Sequence, residues 1–329
     1  MPQPQVLVTS SQLSDAAKQI LAAAGAQVSY MTDPKFTEDA LIAHLSRGIE
    51  GVLLRTNPPF TRRVLESAPN LRIIAKHGAG YDSVDVQAAT ECGVVVVTAG
   101  DANADPVAEH AVAVMLALAR DLAKLDRNLR AGQWEKGSYI GREFRGRLVG
   151  IVGYGEIGKR TARMAAALGA KIVVHTRSPV PPEQLPPGAQ VEPSFEKLLG
   201  SVDIVSLHCP LNEKTRYLMN ARTFALMQPH ALFINTSRGG VVEEAALYQA
   251  LKSGQIAGAA IDVFEQEPTN PKNPLFELQN LIVTPHTSAM TSDAMVRMGT
   301  AAASNIVGWL TRGECDAANV ANPEVLKKK

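Results

Sequence analysis

Ten short runs of β-branched and aliphatic residues alternate with helix-like segments along the chain: QVLVT, VLL, RIIA, VVVV, RLVGIVG, KIVVH, DIVSL, ALFIN, GAAID and LIVTP. Each is a continuous apolar run, which is the pattern of parallel strands covered by helices on both faces. The chain is thereby confined to the α/β class. Its 329 residues allow about two domains at ~150 residues each. Thirty-three basic against 32 acidic residues leave a formal charge of +1, so no electrostatic reason exists to expect nucleic acid or a membrane surface as partner. The longest apolar stretch, Ala111 to Ala119, falls short of the ~20 residues of a spanning helix. The opening MPQPQVLVTS lacks the layout of a signal peptide, and a cytoplasmic protein is expected. Cys92, Cys209 and Cys315 are odd in number and far apart, which offers neither a disulfide framework nor a CxxC site, and no metal is expected.

A domain boundary is expected between Gly100 and Asp105, where a polar segment precedes a helix with Asp105 as cap and Pro106 at its first position. That helix is expected to run to about Arg130, and its middle, AVAVMLALA, is apolar all round and expected to be buried between domains or subunits. A final helix, roughly Ser292 to Leu310, could return to the first domain. The proline-rich PVPPEQLPP reads as an extended surface loop.

Residues 153 to 158 read GYGEIG, between the strand LVGIV and the helical stretch KRTARMAAALG, with KIVVH as the next strand. This is the place a dinucleotide fingerprint must occupy. Gly153 permits the tight turn, Gly155 lets a pyrophosphate approach the backbone, and Gly158 lets helix and strand pack closely. An acid about 20 residues on would accept the ribose 2′-hydroxyl of NAD(H). Here the second strand ends His175, Thr176, Arg177, Ser178, and a guanidinium with two hydroxyls favours the 2′-phosphate of NADP(H), NAD(H) remaining the alternative.

Ligands of open parallel sheets bind beyond the carboxyl ends of strands. The charged residues so placed are Arg238 after ALFIN, Asp262 and Glu267 after GAAI, and His286 after LIVTP. A cation to polarise a carbonyl and an acid to protonate the nascent alkoxide would suffice for hydride transfer without a metal. Of seven histidines, His44 and His110 lie in helical patterns, His175 lies on the adenine side and His230 precedes its strand. His77 and His208 follow strands and stay rivals to His286 as proton donor.

The ordered motifs HGAGYDSVD, NADPVAEH, GYGEIG, HCPLNEKT, INTSRGGVV, IDVFEQEP and TPHTSA resemble the D-isomer-specific 2-hydroxyacid dehydrogenase family, which contains phosphoglycerate dehydrogenases and glyoxylate/hydroxypyruvate reductases. The resemblance implies a Rossmann cofactor domain, residues 103–288, inserted into a flavodoxin-like substrate domain, residues 1–102 and 289–329. It implies a catalytic Arg238, a Glu267 hydrogen-bonded to the histidine, and His286 as acid/base. The cofactor is expected against Gly153, Tyr154, Gly155, Glu156, Ile157 and Gly158, then Thr176, Arg177 and Ser178. His208, Cys209, Pro210 and Thr215 would flank it, as would Thr236, Ser237, Arg238, His286 and Ser288, with Asp262 toward the nicotinamide carboxamide. The substrate is expected against Arg55, His77, Gly78, Ala79, Gly80 and Asn103 in addition to Arg238 and His286.

The implied reaction is reduction of a small 2-keto acid to the D-2-hydroxy acid and its reverse, by a homodimer joined through the helix after Asp105. A phosphoglycerate dehydrogenase, a phosphite dehydrogenase and a dinucleotide-sensing corepressor-like scaffold are the competing readings. Formate dehydrogenases are similar but carry Gln where Glu267 stands. Only 43 residues follow His286, so no C-terminal effector domain is expected. Lys76, His77 and Arg55 could meet a second anionic substituent.

Overall fold

A computed structural model describes residues 3–32, 37–55 and 58–328. The chain divides into two units, residues 1–103 with 290–329 and residues 104–289. Each is built on one parallel sheet.

The first unit contains strands β1 (Gln5–Val8), β2 (Gln27–Tyr30), β3 (Gly51–Leu54), β4 (Ile73–Lys76) and β5 (Val95–Val97). Helices α1 (Asp15–Ala23), α2 (Glu38–Leu45), α3 (Arg62–Glu66) and α4 (Val86–Glu91) connect them. The strand order β2-β1-β3-β4-β5 is that of flavodoxin-like sheets, whose topological switch lies between the first and third strands. Side chains alternate across this sheet: Val6, Val8, Leu53 and Ile73 join one apolar cluster and Leu7, Val52, Leu54 and Ile74 another. Both faces are therefore covered, which explains why β1, β3, β4 and β5 read as apolar runs.

The second unit opens with two helices, α5 (Ala104–Ala119) and α6 (Leu122–Arg130). The single helix expected to reach Arg130 is thus broken, because Asp121 adopts a left-handed conformation with φ of 49°. Asp105 lies in the first turn of α5 rather than capping it, and its carboxylate pairs with Arg160 Nε at 2.7 Å. Within the single chain, the apolar middle of α5 leaves Ala113 exposed and Leu116, Ala117 and Leu118 half-buried.

The sheet of this unit comprises β6 (Leu148–Val152), β7 (Lys171–His175), β8 (Gln190–Val191), β9 (Ile204–Leu207), β10 (Leu232–Asn235), β11 (Gly258–Ile261) and β12 (Leu281–Val283). Between them run α7 (Glu156–Ala167), α8 (Phe195–Ser201), α9 (Ala221–Phe224) and α10 (Glu244–Lys252). The order β12-β11-β10-β9-β6-β7-β8 is doubly wound, with its switch between β6 and β9. The proline-rich segment holds one 3₁₀ turn, Pro182–Gln184.

The last helix, α11 (Ser292–Arg312), belongs to the first unit and packs Ile306 and Trp309 into the cluster beside β1 and β3. Thr291 caps it by accepting from the Ala294 N–H at 3.2 Å, and Gly313 ends it with φ of 71°. Among the described residues no helix is long and apolar enough to cross a membrane.

Candidate active site

The glycine loop is built by backbone crowding. Gly153, at φ of 94°, sits so close to the carboxyl end of β9 that a Cβ there would lie 2.7 Å from the His208 carbonyl. At Gly158 a Cβ would lie 2.2 Å from the Gly153 oxygen, so α7 approaches its loop more closely than any side chain allows. Gly155 differs, because a Cβ built there meets nothing within 4 Å. It caps α7 without a side-chain bond, which leaves N-terminal amides of a twelve-residue helix available for an anion. Open space above the middle glycine and crowding at the other two fit a bound pyrophosphate.

Around this loop the expected cofactor contacts fall into distinct environments. The Tyr154 ring is packed in the core and its hydroxyl donates to Gln184 O at 2.9 Å, so only its backbone lines the loop. Glu156 pairs with Lys159 and Arg160 within the first turns of α7, beside a half-buried Ile157. Thr176, Arg177 and Ser178 follow β7, with Arg177 and Ser178 exposed. The loop from His208 to Thr215 is closed by Thr215 Oγ1 donating to Pro210 O at 2.6 Å. Burial pushes the Cys209 thiol up to about 11, which makes it an unreactive neighbour.

Arg238 follows β10 in a turn held by the buried Asn235. The Asn235 Oδ1 accepts from Ser237 N at 3.0 Å and Ser237 Oγ at 2.8 Å, while its Nδ2 donates to Arg238 O at 3.0 Å. Gly239 is required next, since a Cβ would fall 1.8 Å from Phe264 O. This close approach brings the Arg238 turn against the loop carrying Glu267. Burial alone would push the Glu267 carboxyl up, but hydrogen bonds from His286 and the Phe264 N–H, with the Arg238 charge, hold it below the usual carboxylate range. Glu267 Oε2 meets His286 Nδ1 at 2.6 Å and Oε1 accepts from Phe264 N at 3.0 Å.

His286 itself has φ of 53°, an uncommon conformation for a residue with a Cβ. Its N–H donates to Asp262 O at 2.7 Å and to Thr284 O at 3.0 Å. The Asp262 side chain, 1% exposed, accepts from Thr284 Oγ1 at 2.6 Å, Thr287 N at 2.8 Å and Ser288 N at 3.0 Å. It therefore staples the loop that carries His286, a task its position after a strand does not reveal. Thr236 is buried beside this loop, with its hydroxyl unpartnered.

The two rival histidines are neutral at physiological pH. Burial, with the Arg55 charge behind it, pushes His77 down to about 4, and burial pushes His208 down to about 3. His208 Nε2 meets Ser206 Oγ at 2.9 Å. Neither is suited to donate a proton from an imidazolium.

In the first unit, Arg55 follows β3 and donates to Ser10 Oγ at 3.1 Å. Lys76 at the end of β4 is 5% exposed and donates to Arg55 O and to Ser83 Oγ. His77, Gly78, Ala79 and Gly80 form the turn after β4, with Gly78 at φ of 139° and Ala79 exposed. Asn103 is half-buried in the turn that precedes α5.

Residues 112–288 match the family described as D-isomer specific 2-hydroxyacid dehydrogenase, NAD binding domain. Over 329 residues the chain is 38% identical to D-3-phosphoglycerate dehydrogenase of Methanocaldococcus jannaschii, covering 99% of this chain and 61% of that one. Over 307 residues it is 35% identical to glyoxylate reductase of Thermococcus litoralis, covering 91% and 92% respectively. An NADPH-dependent glyoxylate/hydroxypyruvate reductase from Sinorhizobium meliloti, solved with NADP and malonate, matches with a TM-score of 0.83 and 29% identity over 98% of both chains. The chain spans about half the length of several phosphoglycerate dehydrogenases it matches. With a doubly wound sheet, a glycine loop shaped for a dinucleotide and this similarity through the length of a curated relative, the chain belongs to the D-isomer-specific 2-hydroxyacid dehydrogenase family.

Proposed function

We propose that the chain reduces a small 2-keto acid of the glyoxylate or hydroxypyruvate kind to the D-2-hydroxy acid, and runs the reverse reaction. The observation that carries this reading is the Glu267–His286 pair at 2.6 Å with the Arg238 charge acting on the same carboxylate. Arg238 holds the substrate carboxylate and polarises the keto oxygen, a task suited to a planar fork of donors. His286 gives a proton from Nε2 to that oxygen as it becomes an alkoxide, and Glu267 stabilises the imidazolium and fixes its tautomer through Nδ1. A reduced nicotinamide dinucleotide bound at the glycine loop supplies the hydride. NADP(H) is the preferred form, because β7 is followed by Thr176, Arg177 and Ser178 with no acid to repel a 2′-phosphate.

A spectrophotometric panel of glyoxylate, hydroxypyruvate, pyruvate and phosphohydroxypyruvate, each with NADPH and NADH, tests the proposal. Turnover of none of them refutes it. A phosphoglycerate dehydrogenase is the second reading, favoured by the buried Lys76 beside Arg55, and phosphohydroxypyruvate as the best substrate would establish it.

A homodimer is part of the same proposal. Helix α6 has no buried residue although Leu122, Leu125 and Leu129 share one face, and Leu122 and Leu129 are 54% and 56% exposed. Such a stripe is stable in water when a second surface covers it. Sedimentation should show a dimer that Leu129→Lys weakens, and a monomeric parent protein would end this part of the reading.

A further inference from the structure

His110 lies on α5, outside the residues given a chemical task above, yet its Nε2 stands 3.2 Å from Thr284 Oγ1. That hydroxyl has a single proton, and its 2.6 Å contact with Asp262 Oδ1 directs the proton to the carboxylate, which as an anion only accepts. The Thr284 oxygen is then the acceptor toward His110, and Nε2 is the nitrogen that carries hydrogen. Beyond Asp262 the chain of bonds reaches the backbone on both sides of the proton donor: the Asp262 carbonyl takes the His286 N–H and its carboxylate takes the Thr287 and Ser288 N–H groups.

The reason such a brace is needed is the left-handed backbone of His286, with φ of 53°. A residue with a Cβ in that region is strained and stays there only when its surroundings over-determine it. Asp262 supplies three of the bonds that do so, and its carboxylate is oriented in turn by Thr284. Among the described residues, Thr284 has one lone-pair partner outside its own loop, which is His110 on the opening helix of the unit.

We propose that His110 is a positioning residue for catalysis, holding the His286 loop through Thr284 and Asp262 so that Nε2 of His286 keeps its reactive aim. It touches no substrate atom. It converts the location of α5 against β10 and β11 into the orientation of the proton donor. The proposal rests on His286 being that donor.

The test uses the full chain in four forms: His110→Leu, Thr284→Val, the double variant, and His110→Gln, whose amide can still donate to Thr284. Each of the first two should lower kcat for keto-acid reduction about tenfold, the scale of a small misalignment, with KM for NADPH within about twofold of the parent. The double variant should be no slower than Thr284→Val, since both remove one linkage, and His110→Gln should recover most of the rate. Backbone amide exchange at Thr287 and Ser288 should accelerate in His110→Leu and return toward normal in His110→Gln. If His110→Leu fails to fold, His110→Asn, too short to reach Thr284, replaces it. Losses that multiply in the double variant, a His110→Gln no better than Leu, or a raised KM with unchanged kcat would each overturn the relay. Should the parent protein reduce no keto acid at all, the functional reading fails, and unaltered amide exchange in His110→Leu would separately reject the brace.

Discussion

Glu267 takes the Nδ1 side of His286 at 2.6 Å while its other oxygen is tied to the Phe264 N–H at 3.0 Å. The carboxylate is thus fixed at one end by backbone and at the other by the imidazole. This leaves Nε2 to exchange protons, and it makes the charge state of Glu267 a control on that of His286.

Glu267→Gln should lower kcat for keto-acid reduction about tenfold or more, because the carboxylate that fixes the Nδ1 side of His286 at 2.6 Å is lost. The folded carboxyl is held below its ordinary value, so its contribution to stability is complete above an unfolded pKa of about 4.3 and is lost as pH falls through the depressed value. Steady-state kinetics and urea unfolding at acid pH check this, and a variant with the parent's kcat would remove Glu267 from the pair.

Arg238→Ala should lower kcat/KM by at least ~10², since both carboxylate binding and stabilisation of the developing alkoxide are lost. The turn itself is set by Asn235 through its bonds to Ser237 and to the Arg238 carbonyl, so the melting temperature should stay near the parent's. Arg238→Lys should recover only part of the rate, a point charge replacing a bidentate fork. Steady-state kinetics decide, and an Arg238→Ala variant of near-normal rate contradicts the assigned role.

Ten of the strand runs were legible because strands buried on both faces must be apolar throughout. The strand β2, QVSY, was not, since it lies at the edge of its sheet with Gln27 and Tyr30 exposed, and β8 has only two residues, both exposed. The break between α5 and α6 carries no Gly or Pro to mark it; an aspartate, Asp121, makes the left-handed step. For the site, strand-end placement brought Arg238, Asp262, Glu267 and His286 to notice together. It could not rank His286 above His77 and His208, because desolvation depends on what the fold packs around each ring. Nor could it show that the Asp262 carboxylate spends its bonds on the loop that carries His286.

The three glycines of the fingerprint should separate binding from stability. Gly155→Ala has room for its methyl and an extended backbone with φ of −77°. It should melt normally while weakening dinucleotide binding, because the methyl occupies the pyrophosphate's approach. Gly158→Ala drives a Cβ to 2.2 Å from Gly153 O, and should lower stability by ~1–3 kcal/mol, the range for overpacking. Thermal melts with fluorescence titration of NADPH check both. A Gly155→Ala variant that binds normally would place the diphosphate elsewhere.

Arg177→Ala should raise KM for NADPH and leave that for NADH nearly unchanged, because the exposed guanidinium meets only the ligand that carries a 2′-phosphate. A compatible result also requires the parent to prefer NADPH. Equal loss with both cofactors would assign Arg177 to the diphosphate or to the fold instead.

Acid stability should report the two neutral histidines. The folded pKa values of about 4 for His77 and about 3 for His208 lie below the ~6.5 of an unfolded imidazole. Between those limits the unfolded chain binds protons that the folded chain refuses, so stability rises with pH there and is lost as pH falls below ~6.5. Each histidine adds a slope of about 1.4 kcal/mol per pH unit while only the unfolded form is protonated. His77 is 9% exposed with Nε2 unpartnered, and His208 Nδ1 is buried and unpartnered, so neither ring has an acidic neighbour in hydrogen-bond contact to lift its value. Urea unfolding from pH 7 to pH 4.5 should therefore give a shallower decline for His77→Gln and His208→Gln than for the parent. The double variant should lose the two slopes additively, because the rings lie on separate units. A decline identical in the parent and both variants would mean that these rings protonate in the folded state at ordinary pH, which would return them to contention as proton donors.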